Sequence, residues 1–220
     1  MTSNRQNSGD IVRAGAPTRP SPGRILVTIL HADEDRQIAE RLTDLWRPAV
    51  PAAAMSVICT ARNDLDTVMR DIVARQIEAP VSARRVILVG LRGTEALALA
   101  LAFGTLSPIC GGLLICGGTL PNPAPTVEPD RTRQMHCRLV FDGDDETGDT
   151  GPLDDLLHGL RSAGVNLRGA FFNTKPEQSP HALRALSEMG GYAPAVLRMG
   201  GSYLAELVAI ALAAEAVQLR

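Results

Sequence analysis

Residues 82–103 read SARRVILVGLRGTEALALALAF, and this stretch decides the fold class. Its apolar, β-branched part, residues 85–89, predicts a strand that is buried on both faces. A short turn with Gly90 and Gly93 follows, and residues 94–103 are rich in alanine and leucine, which favour a helix. The segment therefore predicts a strand, a tight turn and a helix that packs against the sheet.

The same alternation continues in both directions along the chain. Apolar runs predict further strands, and apolar residues at three-and-four spacing predict the helices between them. The predicted strands are residues 25–30, 55–59, 113–116, 137–141 and 167–172, with a short last strand at 196–199. The predicted helices are residues 33–46, 64–77, 153–163, 181–189 and 202–218. Such alternation predicts an α/β protein, a three-layer α/β/α sandwich with a mostly parallel sheet.

Length and composition limit the organisation and the function class. The chain has 220 residues, of which 45% are hydrophobic, so it can bury a sizeable core. Residues 1–23 are rich in Ser, Asn, Arg, Pro and Gly and are predicted to form a flexible N-terminal tail, while residues 24–220 form a single domain. The net charge of −2 and an aromatic content of 3% argue against nucleic acid as a partner.

Cysteine usage and hydropathy predict a cytoplasmic protein. No stretch of 18 or more uncharged apolar residues predicts a membrane span, and residues 1–23 lack the apolar region of a signal peptide, so no membrane contact is expected. The four cysteines form no CxxC pair and are interpreted as reduced, buried side chains: Cys59, Cys110, Cys116 and Cys137. No two histidines have metal-ligand spacing, so neither a metal nor a cofactor is expected.

The strand–turn–helix segment resembles the nucleophile elbow, G-x-S-x-G, of the phospholipase/carboxylesterase/thioesterase family of α/β-hydrolases, whose members read close to RIVLAGFSQGGALALALAL here. The segment Leu30-His31-Ala32 resembles the Leu-His-Gly oxyanion loop of that family. LICGGTLP at residues 114–121 resembles LSGYLP, and LVFDGDDE at residues 139–146 resembles the HGxxD acid loop. The resemblance implies an α/β-hydrolase fold and hydrolysis of esters or thioesters.

The catalytic residues depart from the family pattern. Arg92 stands where the family has its serine, and a guanidinium has no lone pair with which to attack a carbonyl. Ala32 and Thr94 replace glycines of the oxyanion loop and of the elbow. The resemblance therefore implies a hydrolase scaffold without its nucleophile.

The acid and the histidine of the Ser-His-Asp triad each have two candidate positions. The acid position falls on Asp145 or Glu146, depending on a one-residue shift. The histidine loop is either residues 173–179, which hold no histidine and are followed by His181, or residues 199–202, where Gly201 takes its place. His181 is the one histidine considered as a base. No intact triad is predicted, because nucleophile, base and acid must lie within hydrogen-bond reach of one another.

Arg92 has three interpretations, one of which is direct catalysis by Arg92 itself. The other two are structural pairing and anion binding. In these, Arg92 is an arginine tolerated at a relaxed elbow and paired with Glu95 or with the acidic loop at residues 142–152, or it forms an anion site. A turn that leads into a helix presents free N–H groups and the positive end of the helix dipole, and a guanidinium fork suits a carboxylate or phosphate. The residues predicted to line such a site are His31, Ala32, Leu91, Arg92 and Gly93.

Three functional hypotheses follow. The first is a pseudoenzyme with the α/β-hydrolase fold that binds a small anionic molecule or a protein partner; the oligomeric state, a homodimer included, is left open. The second is an active ester or thioester hydrolase with unconventional catalytic residues. The third is an NAD-consuming domain like the bacterial TIR domains, because LHADEDRQIAERL at residues 30–42 resembles their opening SHASED.

Overall fold

A parallel sheet of six strands forms the centre of the fold. The computed structural model describes residues 24–32, 35–60, 65–104, 109–117, 135–142, 151–172, 192 and 194–218. The strands are β1 (Ile25–His31), β2 (Ala53–Cys59), β3 (Val86–Leu91), β4 (Gly112–Cys116), β5 (His136–Asp142) and β6 (Asn166–Phe172). They lie in the order β2-β1-β3-β4-β5-β6, and each neighbouring pair is parallel. Every residue of β1, β3 and β4 is buried, which explains why their sequences are almost entirely apolar.

Helices cover both faces of the sheet. They are α1 (Arg36–Trp46), α2 (Leu65–Glu78), α3 (Glu95–Phe103), α4 (Gly151–Ser162) and α5 (Pro194–Gln218). Apolar side chains of α2, α3 and α4 form one core with the first face, and those of α1 and α5 form a second core with the opposite face. The three-layer α/β/α prediction is therefore confirmed.

The C-terminal segment is one long helix, so the predicted strand at residues 196–199 is wrong. Pro194 opens α5 at a position where the missing N–H and the fixed φ of proline suit a helix start. The following glycine pair allows close packing and does not form a turn. A Cβ at Gly200 would lie 2.8 Å from Cys116 Sγ, and one at Gly201 would lie 2.9 Å from Trp46 Cδ1. The Trp46 indole N–H also donates to the Leu197 carbonyl oxygen at 3.1 Å.

By length and composition alone, α5 could cross a membrane over Pro194–Ala214. This helix carries two charged residues, Arg198 and Glu206, which is why the sequence contains no uncharged apolar stretch long enough to predict a membrane span. The helix packs one apolar face into the second core. Glu206 accepts a hydrogen bond from Arg138 of β5, whose side chain is 1% exposed, at 3.0 Å. These contacts hold one face of α5 against the sheet.

The remaining elements begin and end within a few residues of the predicted bounds. The predicted helix at residues 181–189 and the predicted tail at residues 1–23 lie outside the described residues. None of the four cysteines forms a disulfide, and three of them are buried. The predicted burial of Cys59 is wrong, because it ends β2, which has a neighbouring strand on one side only.

Candidate functional site

The turn between β3 and α3 lies at the carboxyl edge of the sheet. Arg92 and Gly93 form the turn, which the Thr94 N–H closes by donating to the Leu91 carbonyl oxygen at 2.9 Å. Gly93 has φ +81°, a left-handed conformation that favours glycine. A Cβ at Gly90 would lie 2.7 Å from Ala98 Cβ, so this glycine allows α3 to pack closely on β3. The backbone conformation therefore explains the glycine at position 93, and the close approach of α3 explains the glycine at position 90.

Thr94 connects the turn to the end of β1. Its side chain is fully buried, and Oγ1 lies 2.8 Å from the Leu91 carbonyl oxygen and 3.2 Å from that of Leu30. His31 ends β1 and is 2% exposed. Its carbonyl oxygen accepts hydrogen bonds from the N–H and the hydroxyl of Thr60, at 2.9 and 3.0 Å. The Thr94 contact holds the end of β1 beside the end of β3, and the Thr60 contacts hold it beside the end of β2.

Arg92 is exposed at the tip of the turn and is supported by Tyr192. The Arg92 N–H donates to the Tyr192 hydroxyl at 2.7 Å, and the guanidinium carbon lies 5.2 Å from the centre of the Tyr192 ring. Tyr192 is 1% exposed, and burial raises the pKa of its phenol well above the usual range. A Cβ at Gly117 would lie 2.5 Å from Tyr192 Cε1, so a glycine is required there.

Glu95 places a buried carboxyl group in the first turn of α3. The residue is 4% exposed, and within the described part of the chain its Oε1 atom has no hydrogen-bond partner. Burial raises the pKa of Glu95 to about 7, although backbone hydrogen bonds from Glu95 and Gly93 and the charge of Arg92 act in the opposite direction; the charge of Asp35 adds to the rise. A carboxyl group with this pKa, beside an arginine, is typical of functional sites.

Cys116 ends β4 and pairs with Leu91, the last residue of β3 before the turn. Burial raises the pKa of the Cys116 thiol to about 12. The thiol faces the Val196 carbonyl oxygen at 3.8 Å. Because the thiolate is the nucleophilic form, this cysteine does not replace the missing serine.

The residues predicted to line the anion site do not all lie at the surface of the turn. Arg92 and Gly93 are exposed in the turn, and a Cβ on Gly93 would lie 3.8 Å from the Ala32 side chain. The Leu91 side chain is fully buried in the second core, and His31 is buried. Arg92, Gly93 and Ala32 are therefore the members that lie together at the turn.

Most of the predicted acid and base positions lie outside the residues that the structure describes. Asp145, Glu146, His181 and residues 173–179 lie outside them. Gly201 lies inside α5 against Trp46, so residues 199–202 are not a catalytic loop and that alternative is wrong. Within the described ranges, no group of three His, Cys, Asp or Glu side chains could hold a metal ion.

Two residues of the site were missed by sequence reasoning as functional groups. Glu95 is the one charged residue in the helix EALALALAF, and a charge in the first turn of an otherwise apolar helix was a usable signal. Tyr192 follows Arg92 by 100 residues, and its sequence surroundings carry no pattern that predicts the contact.

Solved structures share this architecture. The chain superposes on esterase PE8 with a TM-score of 0.57 and 16% identity, over 87% of this chain and 96% of that one. It superposes on a putative dienelactone hydrolase from Klebsiella pneumoniae subsp. pneumoniae MGH 78578 with a TM-score of 0.56 and 13% identity, over 86% and 87% of the two chains. The match to MGS-M1, an alpha/beta hydrolase enzyme from a Medee basin deep-sea metagenome library, has a TM-score of 0.58 and 11% identity, over 84% and 86%.

This chain has the α/β-hydrolase fold. The fold predicted from residues 82–103 is confirmed, and the turn at Arg92 joins a strand to a helix, as predicted for this segment. No protein-family model and no curated protein sequence matches the chain. The structural neighbours of this α/β-hydrolase-fold protein give the TIR-like hypothesis no support.

Proposed function

We propose that this α/β-hydrolase-fold protein has lost serine-hydrolase activity and binds a small anionic molecule at the turn between β3 and α3. The observation that carries the proposal is Arg92, which occupies the tip of the turn where a G-x-S-x-G elbow has its serine. The guanidinium stays protonated and offers no lone pair, so an acyl-enzyme cannot form at this position.

The surroundings of Arg92 support an anion as the ligand. The side chain is exposed at the N-terminus of α3, where the helix dipole favours negative charge. Tyr192 holds the Arg92 backbone through the 2.7 Å hydrogen bond and supports the guanidinium with its ring. A guanidinium fork held in this way suits a carboxylate or a phosphate. A protein partner that presents a carboxylate would use the same chemistry.

The site also supports a second candidate function, an ester or thioester hydrolase with unconventional residues. Glu95 favours it, because a carboxyl group with a pKa of about 7 is suited to general-base catalysis near neutral pH. In such an enzyme the base would activate water directly, since Arg92 cannot form the covalent intermediate. For either function we propose a cytoplasmic location, which is supported by the three buried cysteines that form no disulfide.

Anion binding and covalent labelling test the proposal together. Wild type, Arg92→Ser and the control Arg36→Ser are compared; Arg36 lies on α1 with a side chain that is 75% exposed. Acetate and sulfate should raise the melting temperature of wild type and of Arg36→Ser, and the shift should be lost in Arg92→Ser. A fluorophosphonate should label no serine of the wild type. A labelled serine, or an equal anion effect in all three proteins, would contradict the proposal.

A further inference from the structure

The two edges of the sheet differ in the residues that they carry. Within the described residues, β6 forms one edge and carries Arg168, whose side chain is 62% exposed and pairs with Glu206 at 2.9 Å. The other edge is β2, which reads AAMSVIC and contains neither a charge nor a proline. Charged residues and prolines are common means of keeping an edge strand from pairing with another chain. Neither of these means is present in β2.

The outer side of β2 is open along most of the strand. All seven residues of β2 are paired with β1 on the inner side, and Ile58 is the one residue among them that is buried. A groove of about 410 Å³ runs between β2 and the C-terminal half of α2, and four consecutive residues of β2, 54–57, line it. Because successive side chains of a strand point to opposite faces, a groove lined in this way includes the outer backbone edge.

The charges of this groove are self-complementary. Arg75 and Glu78 of α2 line it about one helical turn apart, with side chains that are 51% and 68% exposed. A two-fold axis brings two copies of α2 together in opposite directions. Such an arrangement sets Arg75 of each copy opposite Glu78 of the other. A second copy of this chain therefore matches the charges beside the open edge.

The sequence of β2 is also compatible with its own copy in the opposite direction. With the two-fold axis at Ser56, the middle residue of the strand, Met55 of one copy lies opposite Val57 of the other, and Ala54 lies opposite Ile58. These cross-strand pairs are apolar, and none of them places like charges together. Met55 and Val57 are half-buried against the second core, so the pairing would cover more of both side chains.

We propose that β2 pairs antiparallel with β2 of a second copy of this chain, so that the sheet continues through a homodimer. The two-fold pairing uses the open edge of both copies, so assembly stops at the dimer. A net charge of −2 per chain opposes this association only weakly. The strand β1 separates β2 from β3, which leads into the Arg92 turn, so the pairing does not depend on the proposed function.

Analytical ultracentrifugation of the full chain tests the charge contacts through the dissociation constant of the dimer. Arg75→Glu and Glu78→Arg each set like charges against each other twice, so each should weaken the dimer about tenfold. The double variant Arg75→Glu/Glu78→Arg restores opposite charges and should dimerise as wild type does, within about twofold. The control Arg36→Glu, which breaks the exposed ion pair with Glu40 on α1, should also dimerise as wild type does.

Hydrogen exchange of the wild type locates the interface without any variant. Amide protection in β2 should rise with protein concentration over about a hundredfold range, while protection in β6 should stay constant. A monomer at every concentration, with β2 protection that is independent of concentration, would overturn the proposal, whether or not another segment of the chain covers this edge. A dimer that both single charge variants leave unchanged, or one that leaves β2 protection constant, would also overturn it.

Discussion

Glu95→Gln should stabilise the fold at alkaline pH and leave it nearly unchanged in acid. The pKa of Glu95 is raised from its ordinary value of 4.5 to about 7 because the carboxyl is buried. A difference of one pH unit in pKa corresponds to about 1.4 kcal/mol, so ionised Glu95 lowers the free energy of unfolding by about 3 kcal/mol. Glutamine keeps the shape of the neutral acid and never ionises.

The sign follows from proton binding by the two states. Below the unfolded-state pKa of 4.5, Glu95 is neutral in both states, so pH has no effect through this residue. Between 4.5 and about 7 the unfolded chain releases its proton first, so each rise in pH favours unfolding. Above about 7 the loss of stability is complete.

Urea unfolding followed by circular dichroism measures this difference. At about pH 8, Glu95→Gln should be about 3 kcal/mol more stable than wild type, which is about 6–12 °C in melting temperature for a domain of this size. Near about pH 4.5 the two should agree within about 0.5 kcal/mol. The control Glu40→Gln, at a side chain that is 55% exposed, should change stability by no more than about 0.5 kcal/mol at either pH. An equal effect of Glu95→Gln at both pH values, or destabilisation at about pH 8, would refute the burial argument.

Two further predictions concern packing and the buried ion pair. Gly201→Ala should destabilise by about 1–3 kcal/mol in urea unfolding, because its Cβ would lie 2.9 Å from Trp46 Cδ1. Gly159→Ala, in α4 with no atom within 4 Å of the new Cβ, should stabilise by about 0.5–1 kcal/mol, and equal effects of the two would contradict the packing analysis. Glu206→Gln should cost about 1–3 kcal/mol, because it removes the negative charge opposite buried Arg138, while Glu206 itself is 28% exposed. The hydrogen bond from Arg138 lowers the pKa of Glu206, so the stabilisation by this ion pair should be lost in the wild type as the pH falls and Glu206 takes up a proton. An unfolding free energy of Glu206→Gln equal to that of wild type at neutral pH would contradict this prediction.

The central fold could be predicted because its signals are local. A parallel strand buried on both faces is a continuous apolar run, and the small-residue helix after Gly93 follows directly along the chain. The exposure of Cys59 depends on which strand lies at the sheet edge, and the order of strands is set by long-range pairing.

The wrong strand at the C-terminus and the residues missed in the site also depend on contacts between residues that are far apart in sequence. The pair Gly200-Gly201 has the composition of a turn, but its reason is Trp46 on a helix far away in sequence. The contact of Tyr192 with Arg92 joins residues 100 positions apart. The pKa of Glu95 reflects burial, which the tertiary structure alone determines.

Hydrolysis of a short-chain p-nitrophenyl ester by wild type, beside Arg92→Ser, tests the central claim most directly. We predict a wild-type rate no higher than that of buffer, because in the proposed function Arg92 takes the place of the nucleophile at the turn between β3 and α3. Wild-type turnover well above buffer that is unchanged in Arg92→Ser would contradict it, because the chemistry would then take place without this turn.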